Sequence, residues 1–209
     1  MTNQSKLLSV AFVCLFGIAG TAASLLWRHA PPPLVLSTGT WLNPSRKIDD
    51  FSLIDQQGRT YSAANLRGHW SLLFFGYTHC PGFCPATLTT LASMQKQLRA
   101  AKAPALAQVI FVSVDARRDT PEQLAKYVPY FDPEFIGLTA PDQPAIEAFA
   151  RKLGVLVTIP PAADGNYAVD HTGAIFVVDP DAQIAAILTG PFTADALRGD
   201  YQRMVAARP

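Results

Sequence analysis

The chain has 209 residues, 17 basic and 16 acidic, for a formal net charge of +1. That balance gives no general electrostatic pull on nucleic acid or another polyanion. With 49% hydrophobic and 16% charged residues, the composition excludes an intrinsically disordered chain.

Much of the apolar excess lies in Leu7 to Trp27, 21 residues without Asp, Glu, Lys or Arg, 16 of them apolar. At about 1.5 Å per residue this segment spans about 31 Å as a helix, close to the thickness of a bilayer core. A buried core helix fits poorly, because the run is apolar all round. Thr21-Ala22-Ala23 offers small residues for signal cleavage, yet the run continues through Leu25, Leu26 and Trp27. The expectation is one N-terminal transmembrane helix, residues 1–27. Cys14 within it reads as a small hydrophobe, and Val13 before it argues against a lipid-attached start. Pro31-Pro32-Pro33 and the Ser/Thr/Gly run that follows read as a stiff linker over 28–47. Residues 48–209 are then one domain of ordinary size.

Within that domain, Phe51–Ile54 and Arg59–Tyr61 flank Asp-Gln-Gln-Gly and predict a hairpin. Trp70 to Gly76 predicts a strand buried on both faces. Tyr77 to Pro85 is a loop, and Cys84 to Ala101 a helix with Leu88, Leu91 and Leu98 on one face. Gln108 to Val114 is a second buried strand. Thr120-Pro121-Glu122 is a helix start: a capping residue, Pro at the first position, and an acid in the first turn. Glu134 to Leu138 is a short strand. Asp142 to Leu153 is a helix stopped by Gly154. Val155 to Ile159 is extended. Ala174 to Val178 and Gln183 to Leu188 form a hairpin, and a last helix starts near Thr193. Strands alternating with helices, with hairpins at the edges, predict an α/β fold with a mixed central sheet.

Chemistry concentrates in Phe74-Phe-Gly-Tyr-Thr-His-Cys80-Pro-Gly-Phe-Cys84-Pro85. Both thiols follow a strand and stand at a helix N-terminus, which stabilises thiolate. A structural disulfide closing so short a loop stabilises by only about 2 kcal/mol in the entropy model. An i, i+4 pair can direct both sulfurs at one ion. Closed structural zinc sites use four ligands. Copper(I) is soft, is selected by thiolate, and accepts few ligands. Phe74, Phe75, Tyr77 and Phe83 either keep such a site dry or simply fill the core.

The segment Phe74–Pro85 resembles the signature of the SCO/SenC family. Val112-Ser-Val-Asp-Ala-Arg-Arg-Asp-Thr120 and Val169-Asp-His-Thr-Gly-Ala-Ile-Phe-Val-Val-Asp-Pro180 fit the same family in order and spacing. The resemblance covers roughly residues 48–204. It implies a thioredoxin-like fold tethered to a membrane and acting in copper delivery during cytochrome c oxidase assembly, at the binuclear copper centre of subunit II. Carried over by position, the ligands of a Cu(I) or Cu(II) ion are Cys80, Cys84 and His171. The resemblance also implies a second role, reduction of the cysteines of that copper site, with Cys80 as attacking thiolate and Cys84 as resolver. Thioredoxin-like redox enzymes carry a cis-proline beside the active site, and no Pro occurs from Gly165 to Val178, which favours a metal ligand there. The expected protein is a carrier rather than a turnover enzyme, in a bacterial inner membrane with its soluble domain in the periplasm. A thiol peroxidase would need an activating Arg and a peroxide pocket that the sequence does not place.

Asp115 and Asp170 read first as loop caps or solvated charges, with orientation of an imidazole as the alternative. Arg117, Arg118 and Asp119 read as a solvated loop or docking surface. His79 reads as an exposed or supporting residue, and His29 and His69 as exposed.

Overall fold

The computed structural model describes residues 34–160 and 167–208. Ten strands occur among them: β1 (Gly39–Lys47), β2 (Ser52–Asp55), β3 (Thr60–Ser62), β4 (Ser71–Gly76), β5 (Gln108–Ser113), β6 (Ile136–Thr139), β7 (Val157–Thr158), β8 (Asp170–His171), β9 (Ala174–Val178) and β10 (Gln183–Thr189). Four helices accompany them: α1 (Phe83–Ala100), α2 (Pro121–Tyr127), α3 (Gln143–Leu153) and α4 (Ala194–Ala207). Eight strands form one sheet in the order β1-β10-β9-β4-β5-β6-β2-β3, and β7 and β8 form a separate ribbon. β4, β5 and β6 run parallel; the outer neighbours pair antiparallel. This is the mixed sheet with edge hairpins that the alternation of elements predicts.

The two central strands explain the two cores. Every residue of β4 is buried, and successive side chains point to opposite faces. Leu72 and Phe74 pack with Leu88, Leu91 and Leu98 of α1 and with Leu197 and Met204 of α4. Leu73 and Phe75 pack with Ile146, Phe149 and Leu153 of α3 on the other face. Each such apolar side chain contributes about 1.5–3 kcal/mol on burial. Helix starts follow local rules. The hydroxyl of Thr120 accepts from Gln123 N at the head of α2, the carboxylate of Asp142 from Ala145 N in α3, and the hydroxyl of Thr193 from Ala196 N in α4. Gly154 ends α3 at φ 82°, a left-handed conformation that suits glycine.

Residues 39–47 correct the sequence expectation. They belong to β1 on the sheet edge, not to a spacer. β1 is largely unburied and carries Pro44 inside the register shift between Trp41 and Arg46, so it has neither alternation nor a buried apolar run. Gly39 allows the close approach to β10: a Cβ there would lie 2.2 Å from the Ile187 carbonyl oxygen. The chain before β1 is tied down as well. Both oxygens of the buried Asp200 accept hydrogen bonds from Ser37 and Thr38, backbone and hydroxyl alike, at 2.5–3.0 Å.

Among the described residues no helix is long and apolar enough to cross a membrane. The expected anchor at Leu7–Trp27, with Cys14 and His29, lies outside the described residues.

Candidate metal centre

β4 ends at Gly76, the chain turns through residues 77–82, and α1 begins at Phe83. No side chain caps α1 at Gly82. The free N–H groups point at a sulfur instead: Cys84 N lies 3.4 Å from Cys80 Sγ, and the Gly82 and Phe83 amides also donate to that thiol. Partial burial alone would raise the Cys80 pKa; the three amides and a hydrogen bond from the Cys84 side chain outweigh it and hold the thiol below its ordinary value. Cys80 is partly exposed.

Cys84 is in the opposite state. It is fully buried on the first turn of α1, and that burial pushes its pKa well up despite the hydrogen bond it receives from Tyr77 N–H. Gly76 makes room for it, since a Cβ at Gly76 would lie 2.8 Å from Cys84 Sγ and 2.6 Å from the Phe111 ring. One buried thiol on the first turn of α1 and one activated thiol in the loop before it therefore stand four residues apart.

His171 comes from β8, which pairs Val157↔His171 and Thr158↔Asp170 with β7. Its Nε2 lies 3.7 Å from Cys84 Sγ. Its Nδ1 lies 3.2 Å from the Thr172 carbonyl, which can only accept. Nδ1 therefore carries the proton, and Nε2 presents its lone pair to the sulfur. Burial lowers the imidazole pKa, partly offset by the Thr172 contact and by Asp170, so the ring stays neutral further into acid than a free histidine. Tyr77 stands edge-on to the imidazole at 6.0 Å and Phe83 tilts toward it at 6.5 Å. Phe83 is 47% exposed and Leu156, beside the ribbon, 78% exposed. Gly173 accommodates the Phe83 ring, which a Cβ there would meet at 2.9 Å. Phe74 and Phe75, by contrast, are simply core.

Cys84 and His171, 87 residues apart, are thus brought into contact, with Cys80 in the loop just before α1 and its sulfur at the Cys84 amide. Among the described residues no three His, Cys, Asp or Glu side chains already stand in a ready metal-binding group. His79 is exposed, as expected; its Nδ1 sits 3.1 Å from Thr78 Oγ1. His69 and Asp170 are exposed too. Arg117 is solvated as expected, but the charges on either side of it are not. Asp119 is fully buried and accepts from Thr78 N, Thr78 Oγ1 and Ser113 Oγ at 2.6–2.9 Å. It pins the 77–82 loop from below. Asp115 is also fully buried and pairs with Arg118. Loop position suggests solvent for such charges; buried hydrogen-bond partners from distant segments reverse that suggestion. The roles of Gly76, Gly173, Thr78 and Tyr167 were not legible in the sequence, because they depend on close approaches across the fold.

A mixed sheet with a dithiol at a helix start and an imidazole delivered from a distant strand brings together donors of the kind soft metals favour. The sequence profile of the SCO1/SenC family matches residues 41–206. The chain belongs to that family. It is 36% identical over 159 residues to the mitochondrial SCO2 homolog of Bos taurus, covering 76% of this chain and 59% of that protein. It therefore spans about three fifths of the length of that relative. The crystal structure of Arabidopsis thaliana ScoI with copper bound shares 31% identity, covers 76% of this chain and 98% of that one, and superposes with a TM-score of 0.71. The structure of BsSco, described as a member of the Sco family of cytochrome c oxidase assembly proteins with a disulfide switch, shares 25% identity over 81% of this chain and 96% of that one, with a TM-score of 0.62.

Proposed function

We propose that this chain is a copper carrier that binds one ion through Cys80, Cys84 and His171 and hands it to a copper-site apoprotein of cytochrome c oxidase, subunit II. The observation that carries the reading is the 3.7 Å approach of Cys84 Sγ to His171 Nε2 with the lone pair facing the sulfur. Metal–sulfur and metal–imidazole bonds of about 2.3 and 2.0 Å, as found with zinc, span that gap with both atoms in place. Thiolate and imidazole are donors copper favours. The partly exposed Cys80, turned from the α1 amides toward the other two groups, completes a three-donor site that a partner can approach. The relatives solved with copper, or described in oxidase assembly, support this reading. Leu7–Trp27 would hold the carrier in a bacterial inner membrane, residues 28–33 would serve as tether, and the domain would work in the periplasm.

The thiol asymmetry favours a second reading, reduction of the partner's copper-site disulfide. Cys80 thiolate attacks one partner sulfur, forming a mixed disulfide and releasing the other partner sulfur as thiolate. Cys84 gives its proton to His171 Nε2 and attacks Cys80 Sγ, which frees the partner dithiol and leaves a Cys80–Cys84 disulfide. Two electrons pass to the partner, and an external dithiol must restore the pair.

The test is copper stoichiometry and X-ray absorption on the reduced full-length protein. One copper per chain with sulfur and imidazole donors is expected, lost or weakened in Cys80→Ser, Cys84→Ser and His171→Ala. His171→Ala should cut copper affinity much more than thiol–disulfide exchange, whose first step needs only the Cys80 thiolate. Undiminished copper loading in His171→Ala would overturn the ligand set.

A further inference from the structure

Among the described residues β8 has two residues and pairs only with the two-residue β7. So short a ribbon does not fix its own position. The segment leading into it is held elsewhere. Asp115 Oδ2 accepts from Arg118 Nε at 2.5 Å, and Asp115 Oδ1 accepts from the Tyr167 hydroxyl at 2.8 Å. Arg118 Nη1 donates to the Tyr167 carbonyl at 3.0 Å. The guanidinium carbon lies 3.6 Å from the Tyr167 ring centroid and 5.7 Å from that of Tyr77. Tyr77 in turn stands edge-on to His171, and its hydroxyl receives the Val169 N–H. A continuous stack thus runs from Tyr167 through Arg118 and Tyr77 to the imidazole.

We propose that Asp115, Arg118 and Tyr167 form a clamp that positions His171. They are positioning residues, not ligands. Tyr167 lies four residues before His171, so fixing its carbonyl, ring and hydroxyl at once fixes the course of the chain into β8. Asp115 supplies the counter-charge that lets the guanidinium sit mostly buried between aromatic rings. A planar guanidinium alone can fork to a carboxylate and a carbonyl while lying on a ring, which a lysine cannot reproduce. The consequence for copper affinity rests on the ligand role proposed for His171; the clamp itself does not.

The test compares the reduced, metal-free full-length protein with Arg118→Met, which keeps the stem, with Tyr167→Leu, and with Tyr167→Phe, which keeps the ring but deletes the hydroxyl. Amide hydrogen exchange is read at residues 169–171 and at β9. Arg118→Met and Tyr167→Leu should speed exchange at 169–171 by about tenfold or more, with β9 unchanged and Tyr167→Phe intermediate. In the same variants Cu(I) affinity, measured by chelator competition, should fall about 10–100-fold, the range for residues that orient a ligand. Unchanged exchange at 169–171 in Arg118→Met overturns the clamp, as does acceleration spread equally through β9. If the wild-type chain binds no copper while exchange rises locally, the clamp stands and the carrier reading falls.

Discussion

Cys80 and Cys84 are four residues apart across the start of α1, yet their surroundings drive them in opposite directions. Cys80 collects the amides that open α1, while Cys84 is sealed beneath Gly76, Phe111 and the imidazole. Iodoacetamide should therefore modify Cys80 first, at a lower pH than an ordinary thiol requires. The folded pKa is lowered, so thiolate persists as pH falls toward it and reactivity is lost below it. Cys84 should resist labelling until the domain unfolds. Mass spectrometry of the labelled reduced protein across pH checks both, and equal rates for the two thiols would contradict the geometry. The identity of these thiols was legible in the sequence, since Cys80-Pro-Gly-Phe-Cys84 after a buried strand reads directly as a reactive pair. Their inequality was not legible, because it depends on how deeply each sulfur sits.

Elements divide the same way. β4, β5 and β9 are apolar runs and α1 and α3 are periodic, so they were readable locally, and the expected helix over 84–101 differs by one residue at each end from the observed Phe83–Ala100. β1 was not readable, because an exposed edge strand interrupted by Pro44 looks like linker until β10 is placed beside it. The Asp115–Arg118–Tyr167 contact was equally invisible: its members are separated by 52 residues and each is unremarkable alone. The tie between α4 and the start of the domain is a third case. Burial would raise the Asp200 pKa, but hydrogen bonds from Ser37, Thr38 and Arg203 outweigh it and hold the carboxyl at about 2. Its folded value lies below the unfolded one of about 3.9. The stabilisation is thus complete above about pH 4 and is lost as pH falls from there toward 2. Asp200→Ala leaves buried donors without an acceptor and should cost about 3 kcal/mol, lowering Tm by about 6–12 °C at neutral pH. The gap should narrow in thermal scans taken toward pH 2. A constant gap across that range would show that the carboxylate charge is not what holds the strand.

At the scale of the whole molecule, two apolar cores sandwich one sheet, and the candidate centre sits where β4 delivers its chain to α1. A ligand that binds the folded chain alone stabilises it by mass action. At a free Cu(I) activity about 100-fold above Kd this amounts to about 2.7 kcal/mol, or a rise in Tm of about 5–10 °C for a domain of this size. Differential scanning calorimetry of the reduced protein should show that rise, and His171→Ala should abolish most of it. No shift in the wild-type protein would count against one ion joining β8 to α1.

The missing side-chain cap on α1 gives the thiol at position 80 two obligations. It quiets the amides that open an eighteen-residue helix, and it is the sulfur a visiting protein would reach first. Whatever withdraws that sulfur leaves the helix dipole unanswered at its positive end, so the departure is opposed and the return rewarded. A sulfur held in this way would be lent rather than surrendered.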